Sequence, residues 1–363
     1  MFCKFISSLS KHDNQTESAG TKLLHPSSRQ VGNIICSLSL SFSFIVHSIM
    51  GGNDTDFTDI QNYLTRYGMI PYCILGNIGL FFNLMIFSQS THRRNASSLY
   101  LLTSTICHLF CLNFGIFPYI YALYHRDLLV TSLIFCKIQF YFRHTPYQIL
   151  RTLMILACVN RYISSNARHR LQAFNDYHTT LRCILIVVLF WLIVCSFIPI
   201  LLSIDHEICK MDEDTAALIY SIYLLVFAGI LPPILMTISS LFILSNLKKL
   251  RLRIDPRTKN AGLMRKRDRD YIRMLLFEIL VYILTTLPYT FVAFYTTVLE
   301  IQAGYHEHDP DELFLSYMTR SFLLYLNNSL SFWIYILMSK TFRNEFKDLI
   351  GKWYSFVKRI FCR

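Results

Sequence analysis

The charged side chains that fall inside long apolar runs are the residues of this sequence best placed to do chemistry. Arg143 and Arg151 stand in a run that begins near residue 132, Glu278 in one that begins near 271, and Arg320 in the last. Charge at such positions is expensive and usually serves a pathway or a ligand. Arg143, Tyr147 and Arg320 can line one pocket and receive a carboxylate through charge-assisted hydrogen bonds. Glu278 either pairs with Arg151 or lies on a path of conformational change, and the arginines have a plainer reading, internal pairing or snorkelling. Catalysis needs more than this. A membrane enzyme requires clustered carboxylates or histidines at acid–base or metal spacing, and His108 and Glu278 stand isolated in the sequence. The eleven cysteines lack the paired spacing of a structural zinc site, so neither metal nor cofactor is expected.

The elements that position these residues follow from composition. The 363-residue chain is 53% hydrophobic and only 16% charged, which argues against a water-soluble globule. Its 29 Phe and 22 Tyr against 12 Gly exclude a collagenous or disordered chain. A bilayer core takes about 20 apolar residues per helix, and seven stretches qualify: 69–89, 99–124, 132–163, 180–203, 216–247, 271–298 and 313–338. The expected fold is an all-α membrane protein, a seven-helix bundle. Its parts are an outer N-terminal region 1–68, a membrane domain 69–338, and an inner amphipathic helix and tail 339–363.

The net charge of +12 lies between the apolar runs and not on a nucleic-acid-binding motif, so no nucleic-acid partner is expected. Lys and Arg collect after spans one, three, five and seven, for example Arg93, Arg94, Arg168, Arg170, Lys248 and Arg343. Acidic residues collect after spans four and six, among them Asp212, Glu213, Asp214 and Glu300. Basic loops face the cytoplasm, which places the N-terminus outside. There, Asn14 and Asn53 head glycosylation sequons; the sequon at Asn95 faces inward and is discounted. Residues 33–49 form a Ser-rich apolar run, shaped more like a signal-peptide core than an eighth span, although late for one. Initiation at Met50 is the alternative.

Motifs at fixed order narrow the class. Cys136 opens span three on the outer side, Asn160-Arg161-Tyr162 closes it on the inner side, and Cys209 lies in the outer loop after span four. Span four carries Trp191 and Pro199, span five Pro232 and Pro233, span six Leu287-Pro288, and these mid-span prolines kink their helices. Span seven ends in LNNSLSFWIY, Leu326 to Tyr335, followed by a segment in which Phe342, Phe346 and Leu349 oppose Arg343 and Lys347. Together these resemble the rhodopsin-like G-protein-coupled receptors, in a divergent form similar to invertebrate peptide or chemosensory members. The resemblance implies a Cys136–Cys209 disulfide on the oxidising side. It also implies an activation switch at Asn160, Arg161, Tyr162 and Tyr335, and an inner eighth helix on the anionic leaflet, with Cys362 as a palmitoylation candidate. It further implies a plasma-membrane receptor that meets an extracellular ligand and activates heterotrimeric G proteins, with arrestin-type regulators and membrane lipids as further partners. A transporter would show paired repeats and broken half-helices, and none is evident.

Several positions depart from the family. Asn160 replaces the acid beside the motif arginine, and Asp268, at the inner end of span six, is the expected substitute partner of Arg161. His108 stands where the family has a span-two aspartate, Gly79-Leu80 where it has Gly-Asn, Thr286 where it has Trp, and Ser331-Phe332 where it has Asn-Pro. Arg143 occupies the level at which amine receptors carry an aspartate, which favours a peptide over a monoamine ligand. The acidic outer loops attract cationic ligands. Because a histidine supplies no anionic ligand to sodium, replacing sodium with choline at constant ionic strength should leave agonist affinity unchanged; a sodium-specific shift in a binding isotherm would contradict this.

Overall fold

The computed structural model describes residues 57–89, 95–164, 176–205, 208–253, 259–303 and 310–361. Asn14, Asn53, the run 33–49, Met50 and Cys362 lie outside the described residues. The bundle consists of α1 (Asp59–Phe87), α2 (Ala96–Ala122), α3 (Leu133–Ser164), α4 (Tyr177–Leu201), α5 (Asp214–Ile243), α6 (Lys259–Ala303), α7 (Phe314–Met338) and α8 (Lys340–Phe361). A two-stranded antiparallel hairpin, β1 (Leu202–Asp205) with β2 (Ile208–Met211), lies between α4 and α5. Of α1 to α7, six are long and apolar enough to cross a bilayer on length and composition. The exception is α3, whose polar content reflects its place: it packs against α2, α4, α5 and α6 and is hydrogen-bonded to α7. The lipid-facing surface is apolar, as in α4, where Ile186, Ile193 and Ile200 point outward.

Helix α1 begins well before the apolar run at 69. The residues Phe57–Leu64 continue it outward, and Thr65 Oγ1 lies 2.6 Å from the Tyr317 hydroxyl of α7, which anchors this extension. Asn95 has a local role as the N-cap of α2, accepting from Ser97 N at 3.2 Å. The hairpin is stapled to the outer end of α3 by the Cys136–Cys209 disulfide, with Cα atoms 6.1 Å apart.

Backbone irregularities follow the prolines and the polar residues. In α4 the α-helix gives way to a 3-10 segment, Cys195–Leu201, that contains Pro199. Helix α5 carries a π-turn, Leu225–Ile230, immediately before Pro232 and Pro233. A proline at 232 cannot donate to the carbonyl of residue 228. The Tyr282 hydroxyl of α6 donates to Ala228 O in its place. Pro288 lies inside α6, which the structure draws as one continuous helix. A second π-turn, Met318–Leu323, carries Arg320 in α7; such bulges re-aim side chains. Close helix contacts rest on glycine: a Cβ at Gly115 of α2 would fall 1.9 Å from the Tyr325 ring of α7.

If Tyr282 replaces the proline-lost bond, Tyr282→Phe should destabilise the protein by about 1–3 kcal/mol, the cost of a bare buried acceptor. In a Pro232→Ala background, where an N–H is restored to the helix, that cost should shrink toward zero. A thermal-unfolding double-mutant cycle on purified protein measures the coupling; additive effects would refute the assignment.

Candidate functional site

Polar residues occupy three levels along α3. At the outer level the Arg143 guanidinium, on a residue only 8% exposed, lies over the Phe140 ring at 4.4 Å. Arg320 approaches the same ring from α7 at 5.9 Å. The phenols of Tyr325, Tyr119, Tyr289 and Tyr220 lie within electrostatic range of Arg143. Among the described residues, neither arginine has a carboxylate within ion-pair distance. Two like charges thus approach one aromatic ring, Arg143 from a buried position and Arg320 from an exposed one, an arrangement that an anion would relieve.

Tyr147 is positioned differently from its two expected neighbours. Its hydroxyl donates to Leu324 O at 3.2 Å and accepts from Asn328 Nδ2. It therefore joins α3 to α7 beneath the two arginines, with its hydrogen-bonding capacity used inside the protein. Sequence reasoning missed an adjacent cluster: His144 lies between the hydroxyls of Tyr220 at Nδ1 (3.3 Å) and Tyr223 at Nε2 (3.2 Å), with Gln148 Nε2 3.2 Å from the same Nε2. The four-residue step from His144 to Gln148 and the three-residue step from Tyr220 to Tyr223 are helical spacings that could have revealed it.

At the middle level, Arg151 stacks over Tyr147 at 5.5 Å. It shares with His108, Glu278, Tyr282 and Asn327 the lining of a cavity of about 20 Å³. Glu278 takes other partners than the expected Arg151: its Oε1 is 3.5 Å from His108 Nε2, and its Oε2 accepts from the Tyr335 hydroxyl at 3.0 Å. The buried asparagine of α1 is Asn83, not a residue at Leu80; Asn83 Nδ2 donates to Ser331 Oγ of α7 at 3.3 Å. Gly79 instead makes room for Phe332, which a Cβ there would meet at 2.8 Å. Phe332 replaces the expected proline and contacts the rings of Phe82, Phe342 and Phe346.

At the inner level, Asn160 accepts from Ser97 Oγ at 2.7 Å, so the neutral replacement ties α3 to α2. Arg161 is buried, and the ring of Tyr162 stands 5.8 Å from Phe242 of α5. The Asp268 side chain lies outside the described residues. The acid seen at work there is Asp270, buried at the inner end of α6, whose Oδ2 accepts from Thr341 N at 3.1 Å and Thr341 Oγ1 at 3.0 Å. Ser339 caps α8 by accepting from Phe342 N, and Arg343 donates to Ile336 O and Leu337 O at the end of α7, both at 2.9 Å. A cation on terminal carbonyls complements the helix dipole.

A family profile described as 7 transmembrane receptor (rhodopsin family) matches residues 81–335, more than half of the chain. No curated protein matches the chain. The matched segment contains the outer and middle levels and Asn160, Arg161 and Asp270 of the inner one.

Removing the Asp270 contact should loosen the junction of α6 with α8. Asp270→Ala is expected to lower stability by about 1 kcal/mol, the usual value of a helix-cap acceptor. Thr341→Val should reproduce part of that loss, and the two should be non-additive. Denaturation of the purified variants checks this, with full additivity as the contrary result.

Proposed function

The chain belongs to the rhodopsin family of seven-transmembrane receptors, and from that premise we propose how this multi-pass membrane receptor receives and transmits its signal. The receptor stands in the plasma membrane with its N-terminus outside, binds an extracellular peptide, and activates heterotrimeric G proteins. Its role is signalling and not catalysis. Arrestin-type regulators engage the same inner face, and the basic, amphipathic α8 rests on anionic lipid.

The observation that carries the ligand reading is the pair of guanidiniums over Phe140. A protonated monoamine would be repelled by buried Arg143 and by exposed Arg320, whereas a peptide carboxylate would be received by both. Asp212, Glu213 and Asp214 at the outer margin favour basic residues farther along the peptide. On this reading the terminus binds deep and the basic part binds near the surface. Asn14 and Asn53 are proposed to carry glycans in the outer region.

Transmission is proposed to run through Asn160, Arg161, Tyr162 and Tyr335, with Asp268 bearing on Arg161. Because Arg161 is buried, losing a charge partner there costs more than losing an exposed pair, which is worth under about 1 kcal/mol, enough to bias a two-state equilibrium at least several-fold. Ligand binding to the open state shifts that equilibrium only by its differential affinity.

The test is G-protein dissociation and second-messenger output in cells expressing the chain, challenged with peptides bearing free or amidated C-termini. Arg161→Ala should abolish output at unchanged surface expression. Arg143→Ala should lower potency by about ten- to a hundredfold for free-acid peptides, the value of one charge-assisted hydrogen bond, and have little effect on amidated ones. Output that survives Arg161→Ala would count against coupling through this motif. Equal sensitivity of both peptide forms to Arg143→Ala would count against the carboxylate reading.

A further inference from the structure

The contact between His108 and Glu278 constrains the position of a proton. His108 of α2 is 3% exposed, and its Nδ1 lies 2.9 Å from Asn328 Oδ1. The orientation of the Asn328 amide is fixed by its other contacts. Nδ2 faces Leu324 O at 3.3 Å, and a carbonyl only accepts, so the amide oxygen is the atom turned toward the histidine. The hydrogen between Nδ1 and Oδ1 therefore belongs to the ring. A neutral imidazole with its hydrogen on Nδ1 presents a lone pair at Nε2. That lone pair points at Glu278 Oε1, 3.5 Å away, while Oε2 is already engaged by the Tyr335 hydroxyl. Two acceptors face each other in a buried site, where an unsatisfied or repulsive polar contact is costly. One proton added at Nε2 converts the contact into an imidazolium–carboxylate pair.

We propose that His108 and Glu278 form a buried proton-binding site that joins α2 to α6. With the proton bound, the two side chains attract; without it, they repel. Because Glu278 also holds Tyr335, occupancy of the site controls how closely α6 and α7 pack against α2. The groups facing the site are Arg151 and Tyr147 of α3, Tyr282 of α6, and Asn327, Asn328 and Tyr335 of α7. The thiols of Cys111 and Cys158 lie within electrostatic reach of Arg151 and Glu278 respectively. No second carboxylate lines the cavity among the described residues. The ligand is the proton itself, and no bond other than N–H is made or broken.

The site goes beyond ligand recognition and G-protein coupling, and its test does not read either. Purified full-length protein in lipid discs is unfolded thermally from mildly acidic to mildly alkaline pH, as wild type, Glu278→Gln and His108→Gln. The glutamine amide at 278 donates to the Nε2 lone pair without a proton, and the amide at 108 donates to the Glu278 carboxylate. A folded state that binds one more proton than the unfolded state loses stability as pH rises. The wild type should therefore lose stability relative to both variants as pH rises, by up to about tenfold in the unfolding constant per pH unit for a single proton. Comparison with the variants cancels the other histidines. Parallel profiles, a difference of the opposite sign, or failure of both variants to fold would each overturn the proposal, since both variants satisfy the contact without a proton. Receptor output plays no part in this readout, so the site and the signalling role stand or fall separately.

Discussion

A carbonyl oxygen inside a bilayer has no water to turn to, so each one released from a helix ladder must find a donor in the protein. The bond from Tyr282 to Ala228 O meets that requirement where Pro232 removes the native donor from α5. The same need explains contacts that otherwise look unrelated. Tyr147 donates to Leu324 O beside the π-turn of α7, Tyr141 donates to Leu192 O near the 3-10 end of α4, and Arg343 covers the last carbonyls of α7. In each case a neighbouring helix or the following one supplies the donor. Irregular backbone is thereby converted into interhelical connection. The prolines and π-turns need not weaken the bundle, because the groups they free are the ones that hold adjacent helices together.

Charge is governed by the same scarcity of solvent. Arg143 and Arg320 both approach the Phe140 ring, and their charge is the feature on which the proposed anionic ligand rests. Deeper in the bundle, Arg151 and Glu278 line one cavity, and opposite charges so placed compensate each other electrostatically even without direct contact. At the inner end, Asn160 removes a negative charge and uses its amide oxygen to hold Ser97. Helix α3 thus carries a cation at every level, Arg143, Arg151 and Arg161, with Asn160 as a neutral connector beside the last, which is why it is the least apolar of the seven spans.

Much of this was legible in the sequence because hydropathy reports which residues can face lipid. The spans and the position of the amphipathic α8 follow from apolar length and from the pattern of apolar and basic residues. The disulfide required family resemblance, since spacing alone does not select Cys209 from eleven cysteines. What hydropathy could not supply was rotation about each helix axis. Leu80 and Asn83 lie on the same apolar run, and only packing shows that Asn83 turns inward to Ser331. The π-turns have no reliable sequence signal, and one of them lies in the segment that carries Arg320. Asp268 and Asp270 are equally acidic and nearly adjacent. Hydropathy does not show that Asp270 is buried against the start of α8.

The contacts of α6 have a common arrangement. Asp270 accepts from Thr341, Glu278 accepts from Tyr335 and faces His108, and Tyr282 donates to Ala228 O, all on the inner side of Pro288. At 100° per residue these three positions fall within an arc of about 120°, a single broad face. A swing of the inner half of α6 about the proline would break all three together. At about 0.5–1.5 kcal/mol net for each hydrogen-bonded contact, their loss costs about 2–5 kcal/mol. An agonist must supply about 5.5 kcal/mol of differential binding to invert a 1:99 equilibrium fully. The two quantities are of the same order. On the proposed function, contacts of that size would hold α6 inward at rest and yield to ligand binding. A proton leaving His108 and Glu278 would weaken one of the three, so the resting balance of α6 depends on the chemistry of a site buried midway between the outer pocket and the inner face.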